Sequence, residues 1–278
     1  MSTRHRCSSG WLAAVITVGL CAVGVVGTAI AAEKVKCAIV QVAVTEPEAV
    51  SANAERVAGL IREAAGQGAK LVVCPELTFS RTHPREQNGV TVKQLSEQFE
   101  ALKGRFSALA AELKVAIVIG VFEPTGDEKR PVFNTALFLG PDGTVLGRHR
   151  KVVLADHEYD FAKAGSETDG SATPFATPFG RVGMLIGKDM RTTFWPDTLA
   201  SKGMDLFIGI AADRERGWQM AAHGCVKGRC PGIAANRCGD PYVGKSGFVS
   251  AGGASIKQGG SAPEILYATL PLAGVPSQ

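Results

Sequence analysis

Three charged residues stand where chemistry could be done. Glu76 follows Pro75 directly after the apolar run Leu71-Val72-Val73-Cys74. A carboxylate at the C-terminal end of a buried strand lies where open α/β sheets hold their ligands, and is placed for acid–base work. Lys151 closes the basic run Arg148-His149-Arg150-Lys151 just before Val152-Val153-Leu154, and Glu158 comes seven residues later in His157-Glu158-Tyr159-Asp160-Phe161. Taken singly, each has a plainer reading. Glu76 reads as a loop carboxylate and Lys151 as part of a solvated strand edge, while Glu158 alone carries no signal.

Cysteine gives a weaker signal. Setting aside Cys7 and Cys21 near the N-terminus leaves Cys37, Cys74, Cys225, Cys230 and Cys238. The last three lie close enough in sequence to allow a disulfide in an oxidising compartment, with the pairing open, and the odd count leaves a free thiol. Zinc is the competing reading, but no C-x-x-C or His pair accompanies them. No metal and no cofactor is expected.

The elements that must position these residues show as apolar periodicity. Val35–Val40 and Leu71–Cys74 read as buried strands, with Val57, Leu60, Ile61 and Ala64 forming a helical stripe between them. Leu95, Phe99, Leu102, Phe106, Leu109 and Leu113 mark a second helix. Strands are predicted over Val115–Phe122 and Thr135–Leu139, with Pro141-Asp142-Gly143 turning the chain into a returning strand from Val145. Val182–Ile186, Leu206–Ile210, Gly232–Ala235, Gly247–Ile256 and Ile265–Leu270 read as further strands, with a helix between the first two. Alternation of strands and helices predicts an α/β fold, and the hairpin makes the sheet mixed. One domain over residues 33–278 accounts for the pattern.

The first 32 residues read differently. Arg4 and Arg6 precede an uncharged run from Trp11 to Ala32, and Ala29-Ile30-Ala31 fits the small-x-small pattern of a signal-peptidase cut. This predicts a signal peptide or N-terminal membrane anchor over residues 1–32, and so an exported chain, periplasmic or extracellular. Membrane contact is expected only through residues 11–32 if the leader stays uncleaved. Leu20 beside Cys21 makes a poor lipidation site. Lys and Arg total 30 against 26 Asp and Glu, and Arg4 and Arg6 account for part of the excess. The remaining chain is nearly neutral, which excludes nucleic acid as a main partner.

Taken together, the spacings resemble the carbon–nitrogen hydrolase (nitrilase/amidase) superfamily, from Val35 to about Leu270. Leu71–Glu76 is similar to the family strand ending in Pro-Glu, whose Glu is the general base. Phe133-Asn134-Thr135-Ala136, Pro141-Asp142-Gly143 and His149-Arg150-Lys151 resemble its central block, whose Lys stabilises the tetrahedral intermediate. Glu158, with Phe161 and Gly165, is similar to the second acid of many members. Gly183–Arg191 resembles the nucleophile block, and Ala234-Ala235-Asn236-Arg237-Cys238-Gly239 the late Asn motif. The resemblance implies an α-β-β-α sandwich, a homodimer paired through a helical face, and a small amide- or nitrile-like ligand.

The departure falls at the centre of the site. Where the family places its nucleophilic Cys, this chain has Gly187, between Ile186 and Lys188-Asp189. No Cys lies between Cys74 and Cys225, so no small shift of alignment restores one. Cys74 alternates onto the face of Glu76, but is expected to pack in the core. Lys227 and Gly228 stand where an acidic-Asn pair is usual, and Thr192–Asp197 lengthens the link after Arg191. Two functions follow from the resemblance. One is an exported pseudoenzyme that keeps Glu76, Lys151 and Glu158 as a polar pocket. The other is an active hydrolase of non-peptide C–N bonds that uses water or another nucleophile.

Overall fold

The computed structural model describes Met1 and residues 32–44, 50–80 and 91–272. The expected leader, with Cys7 and Cys21, therefore lies almost wholly outside the described residues. The first half runs β1 (Glu33–Gln41), α1 (Val50–Gly66), β2 (Leu71–Val73), α2 (Val92–Glu97), α3 (Phe99–Leu113), β3 (Ala116–Pro124), β4 (Val132–Leu139) and β5 (Val145–Arg150). The second half runs β6 (Phe175–Thr177), β7 (Gly180–Ile186), α4 (Phe194–Ser201), β8 (Leu206–Ala211), α5 (Gln219–Gly228) and β9 (Gly232–Asn236). The short pair β10 (Cys238–Gly239) and β11 (Tyr242–Val243) follows, then β12 (Gly247–Val249), β13 (Ser255–Gln258) and β14 (Glu264–Leu272).

Two six-stranded sheets result, ordered β14-β1-β2-β3-β4-β5 and β13-β12-β9-β8-β7-β6. Both are mixed. β1, β2 and β3 run parallel, as do β7, β8 and β9, while β14, β4, β5, β6, β12 and β13 are antiparallel to their neighbours. Period-two alternation assigns each strand residue to a layer. Cys37, Ile39, Leu71, Val73 and Val118 meet Met184, Ile186, Ile208 and Ile210 in the core between the sheets. Their neighbours Ala38, Val40, Val72 and Ile117 turn outward and bury Val57, Ile61, Phe106 and Leu109 of α1 and α3. On the other side, Leu185, Phe207 and Ala234 bury Leu199, Ala221 and Cys225 of α4 and α5. The layers are α-β-β-α, as expected.

Four expectations need correction. The helix expected through Leu95–Leu113 is two helices meeting at Gln98, because Leu95 packs into a small cluster with Leu77 and Phe122 while Phe106 packs over the sheet. α5 was not expected: its buried face is Met220, Ala221, Gly224 and Cys225, too small to print an apolar stripe. Gly247–Ile256 is not one strand but β12 and β13 joined through a turn with Gly253 at φ +80°, and β13 is wholly exposed. Finally, Cys225, Cys230 and Cys238 form no disulfide. All five described cysteines are buried free thiols. Cys230 and Cys238 flank the two ends of β9, a strand's length apart.

Candidate active site

The carboxyl ends of several strands meet at one cleft. Glu76 leaves β2 after Pro75, Lys151 follows β5, Gly187 follows β7 and Ala212 follows β8. The ammonium of Lys151 donates to Glu76 Oε1 at 2.8 Å and pairs with Glu158 Oε2 at 2.7 Å. Asn134 Nδ2 donates to Glu76 Oε1 at 2.7 Å and to Glu158 Oε1 at 2.9 Å, tying the two acids together. The Ala212 N–H donates to Glu76 Oε2 at 2.8 Å, and the Ala155 N–H to Glu158 Oε2 at 2.6 Å. All three charged side chains are buried. Gly165 allows the close approach this needs. Its N–H donates to the Lys151 carbonyl, and a Cβ there would stand 2.4 Å from the Arg150 carbonyl oxygen.

Gly187 completes the group through its backbone. Its φ of +46° is left-handed, and a Cβ built on it would point at Glu76 Oε2, 2.8 Å away, and at Lys151 Nζ, 3.4 Å away. Any side chain at 187 would therefore be aimed between the acid and the ammonium. The cleft holds about 480 Å³ and is lined by these residues with His157, Lys188, Arg191, Asp213, Arg214 and Tyr242 among others. No described lining residue carries a thiol or an aliphatic hydroxyl. Cys74 is no substitute: it sits in the core beneath α1 and α3, where burial pushes its thiol far up. Its strand alternation with Glu76 fails because the chain leaves the sheet at Pro75.

The charges are set by mutual pairing. Burial alone would lower the Lys151 ammonium, but the charges and hydrogen bonds of Glu76 and Glu158 outweigh it and hold Lys151 above its ordinary value. Burial likewise pushes Glu158 up, yet Lys151, the Ala155 N–H and Asn134 prevail and hold it below the carboxylate range. Glu123 and Asp213 are also held low: burial raises both, but Arg150 on Glu123, and the Arg216 and Glu215 N–H groups with Arg191 on Asp213, win. A carboxyl lowered on folding stabilises above its unfolded value and loses that contribution as pH falls through the folded one. Lys151, raised on folding, contributes fully below its unfolded value and loses it only in strong alkali. Urea-unfolding stability is thus expected to fall below about pH 4. Glu158→Gln should flatten that acid slope.

Residues behind the cleft hold its walls, in roles not legible from the sequence. Asp189 is fully buried and accepts from the Val152, Val153 and Ile186 N–H groups, pinning the turn at Gly187 to the loop after Lys151. His149 Nδ1 accepts the Ala172 N–H, so Nε2 carries the proton and donates to Asp189 at 2.8 Å. Asn236, of the expected late motif, accepts the Asp213 N–H and donates to the Asp213, Arg216 and Gly244 carbonyls, shaping the far wall. A lone Asn134 inside the apolar strand Val132–Leu139 was the readable signal for the most direct of these, because a buried amide must find partners.

The other departures do not reach the cleft. Lys227 and Gly228 end α5, where Lys227 faces solvent 3.9 Å from Asp197. Thr192 is half-buried and caps the end of the 3-10 turn Gly187–Arg191, and Phe194 is exposed in the first turn of α4. Of the expected departures from the family pattern, Gly187 alone faces the charged group. Among the described residues no cluster of His, Cys, Asp and Glu could hold a metal ion, and no helix is long and apolar enough to cross a membrane.

The family model for carbon-nitrogen hydrolases matches residues 36–277. A bifunctional nitrilase/nitrile hydratase of Lupinus angustifolius is 31% identical over 204 residues, covering 67% of this chain and 56% of that one. Nitrilase 2 of Arabidopsis thaliana is 32% identical over 197 residues, 64% of this chain and 56% of its own. The chain thus spans a little over half the length of these plant relatives. Saccharomyces cerevisiae Nit3, a member of branch 10 of the nitrilase superfamily, superposes with a TM-score of 0.75 at 25% identity, covering 87% of this chain and 92% of Nit3. A Nesterenkonia amidase superposes with a TM-score of 0.73 at 21% identity, over 85% and 90% of the two chains.

Proposed function

The chain belongs to the carbon-nitrogen hydrolase family, and from that premise we propose that it is an exported member in which ligand binding persists and covalent amide chemistry is lost. The observation that carries this reading is Gly187: the position aimed between Glu76 Oε2 and Lys151 Nζ has no side chain to form a bond. In a glutamate-to-glutamine mutant of the Nesterenkonia amidase, the acetamide moiety of fluoroacetamide, and acrylamide by Michael addition, each add covalently at the active-site cysteine. Here the acid and ammonium remain, but the described cleft offers nothing to attack with.

What remains can bind. Glu76 Oε2 accepts one N–H from the protein and keeps an acceptor site toward the cleft, while two of the three Lys151 donors are engaged. An acceptor beside a donor suits a small amide or an adduct of a nitrile. Removal of a nucleophile costs about a million-fold in comparable machinery, which favours a binding role over turnover. An amide panel incubated with the purified chain should show ligand binding by calorimetry and no acyl adduct by intact mass. Robust amide or nitrile turnover would overturn the reading. Export is tested separately by protease digestion of intact cells, and pairing into a homodimer by light scattering.

A further inference from the structure

We propose that the cleft hydrolyses small activated esters in one step, with water held on Glu76 Oε2 as the nucleophile. This rests on the reading that position 187 supplies no nucleophile, and asks what the surviving groups can still do.

Glu76 Oε2 is the free end of the acid. Oε1 is engaged by both Lys151 and Asn134, whereas Oε2 takes only the Ala212 N–H among the described residues. That oxygen stands 2.8 Å from where a Gly187 Cβ would lie, too close for a water between them, and Glu76, Gly187 and Ala212 line the cleft, which is the side from which a water reaches it. A water there donates to Oε2 and is aligned toward the cleft. Lys151 Nζ stands 3.4 Å from the same Cβ position, fixed by Glu76 and Glu158 and with its third N–H uncommitted among the described residues. A carboxylate on the water and an ammonium on the acyl oxygen are a general base and an oxyanion donor, both buried and preorganised.

The step balances without a covalent enzyme species. Glu76 takes one proton from water as the new C–O bond forms, and the carbonyl electron pair moves onto the oxygen facing Lys151. Collapse restores the carbonyl, breaks the ester C–O bond, and sends the proton from Glu76 to the departing alkoxide or phenoxide. An acid and an alcohol or phenol leave. Machinery stripped of its nucleophile keeps about 10³–10⁴-fold over water through binding and oxyanion stabilisation. Esters with good leaving groups start from a fast uncatalysed rate, so that factor is measurable. Amides start far lower and must protonate a leaving amine. The cleft of about 480 Å³ limits the acyl group to a small one.

The full chain is assayed with p-nitrophenyl acetate, with quenched samples read by intact mass. Expected is turnover without a burst, unchanged after iodoacetamide because the described thiols are buried. Glu76→Gln should lower the rate about 100-fold or more. Since that variant disturbs a buried pair, Gly187→Ala is the second: it keeps both charges but puts a methyl against Oε2, and should cut the rate at least about tenfold, its fold checked by circular dichroism. Hydrolysis at the buffer rate, or an equal rate in well-folded variants, overturns the proposal and leaves the binding role standing. A cleft acyl adduct formed at the rate of turnover overturns the proposal and the noncovalent reading together.

Discussion

Gly187→Cys should turn a chain that forms no adduct with acrylamide or fluoroacetamide into one that does. The built Cβ direction delivers a thiol to Glu76 and Lys151, the acid to take its proton and the ammonium to favour the thiolate. The gain available is large, since a nucleophile in such machinery is worth about a million-fold, and the variant should exceed the native chain at least about 100-fold in adduct rate. It should also be less stable. A side chain at φ +46° costs roughly 1–2 kcal/mol, and a Cβ 2.8 Å from Glu76 Oε2 obliges that carboxylate to shift. Intact mass and peptide mapping read the adduct, and urea unfolding the cost. An unmodified, folded variant would show that position 187 is not aimed at the acid.

Lys151→Met should be the most destabilising single change in the cleft, by about 3–5 kcal/mol at neutral pH. The ammonium is the cation for two buried carboxylates, and Asn134 holds those carboxylates on either side of one amide nitrogen. Without it, two like charges share one dry site, and one acid must take up a proton. The pH response then reverses. A carboxyl raised on folding adds stability as pH falls, so the variant should recover between about pH 7 and 5, where the native chain is flat. Adding Glu158→Gln should restore part of the loss, because one carboxylate is then removed. Urea midpoints at the two pH values check both statements.

The two changes differ in what they touch, and so does their legibility. Lys151, Glu76 and Glu158 were readable as candidates because their blocks resemble a known family in order and spacing. Asn134 lies within a block that carries the resemblance, yet its role was not legible, because nothing in one strand says that its amide faces two acids from elsewhere. Asp189 likewise lies in such a block, but its anchoring of the Gly187 turn depends on backbone N–H groups far away in the chain. Lys227 misled in the other direction. It stands where the family usually has an acidic residue, but α5 carries it to solvent.

By itself the sequence determined the layers. The apolar runs Val35–Val40, Leu71–Cys74 and Val182–Ile186 say which strands are buried on both faces, and the stripes of α1 and α3 say which helices cover them, because burial is written locally in the apolar pattern. It failed where the local signal was thin, at α5 with its small residues and at the break of Gln98. Tertiary structure alone decided that Gly187 is aimed at Glu76 and Lys151, and that Cys74 is turned away from them. Those facts depend on the turns at Pro75 and Ile186 and on two sheets packed face to face. Contacts between residues tens of positions apart exist only once the intervening chain has folded, and no period in the sequence encodes the direction of a missing side chain.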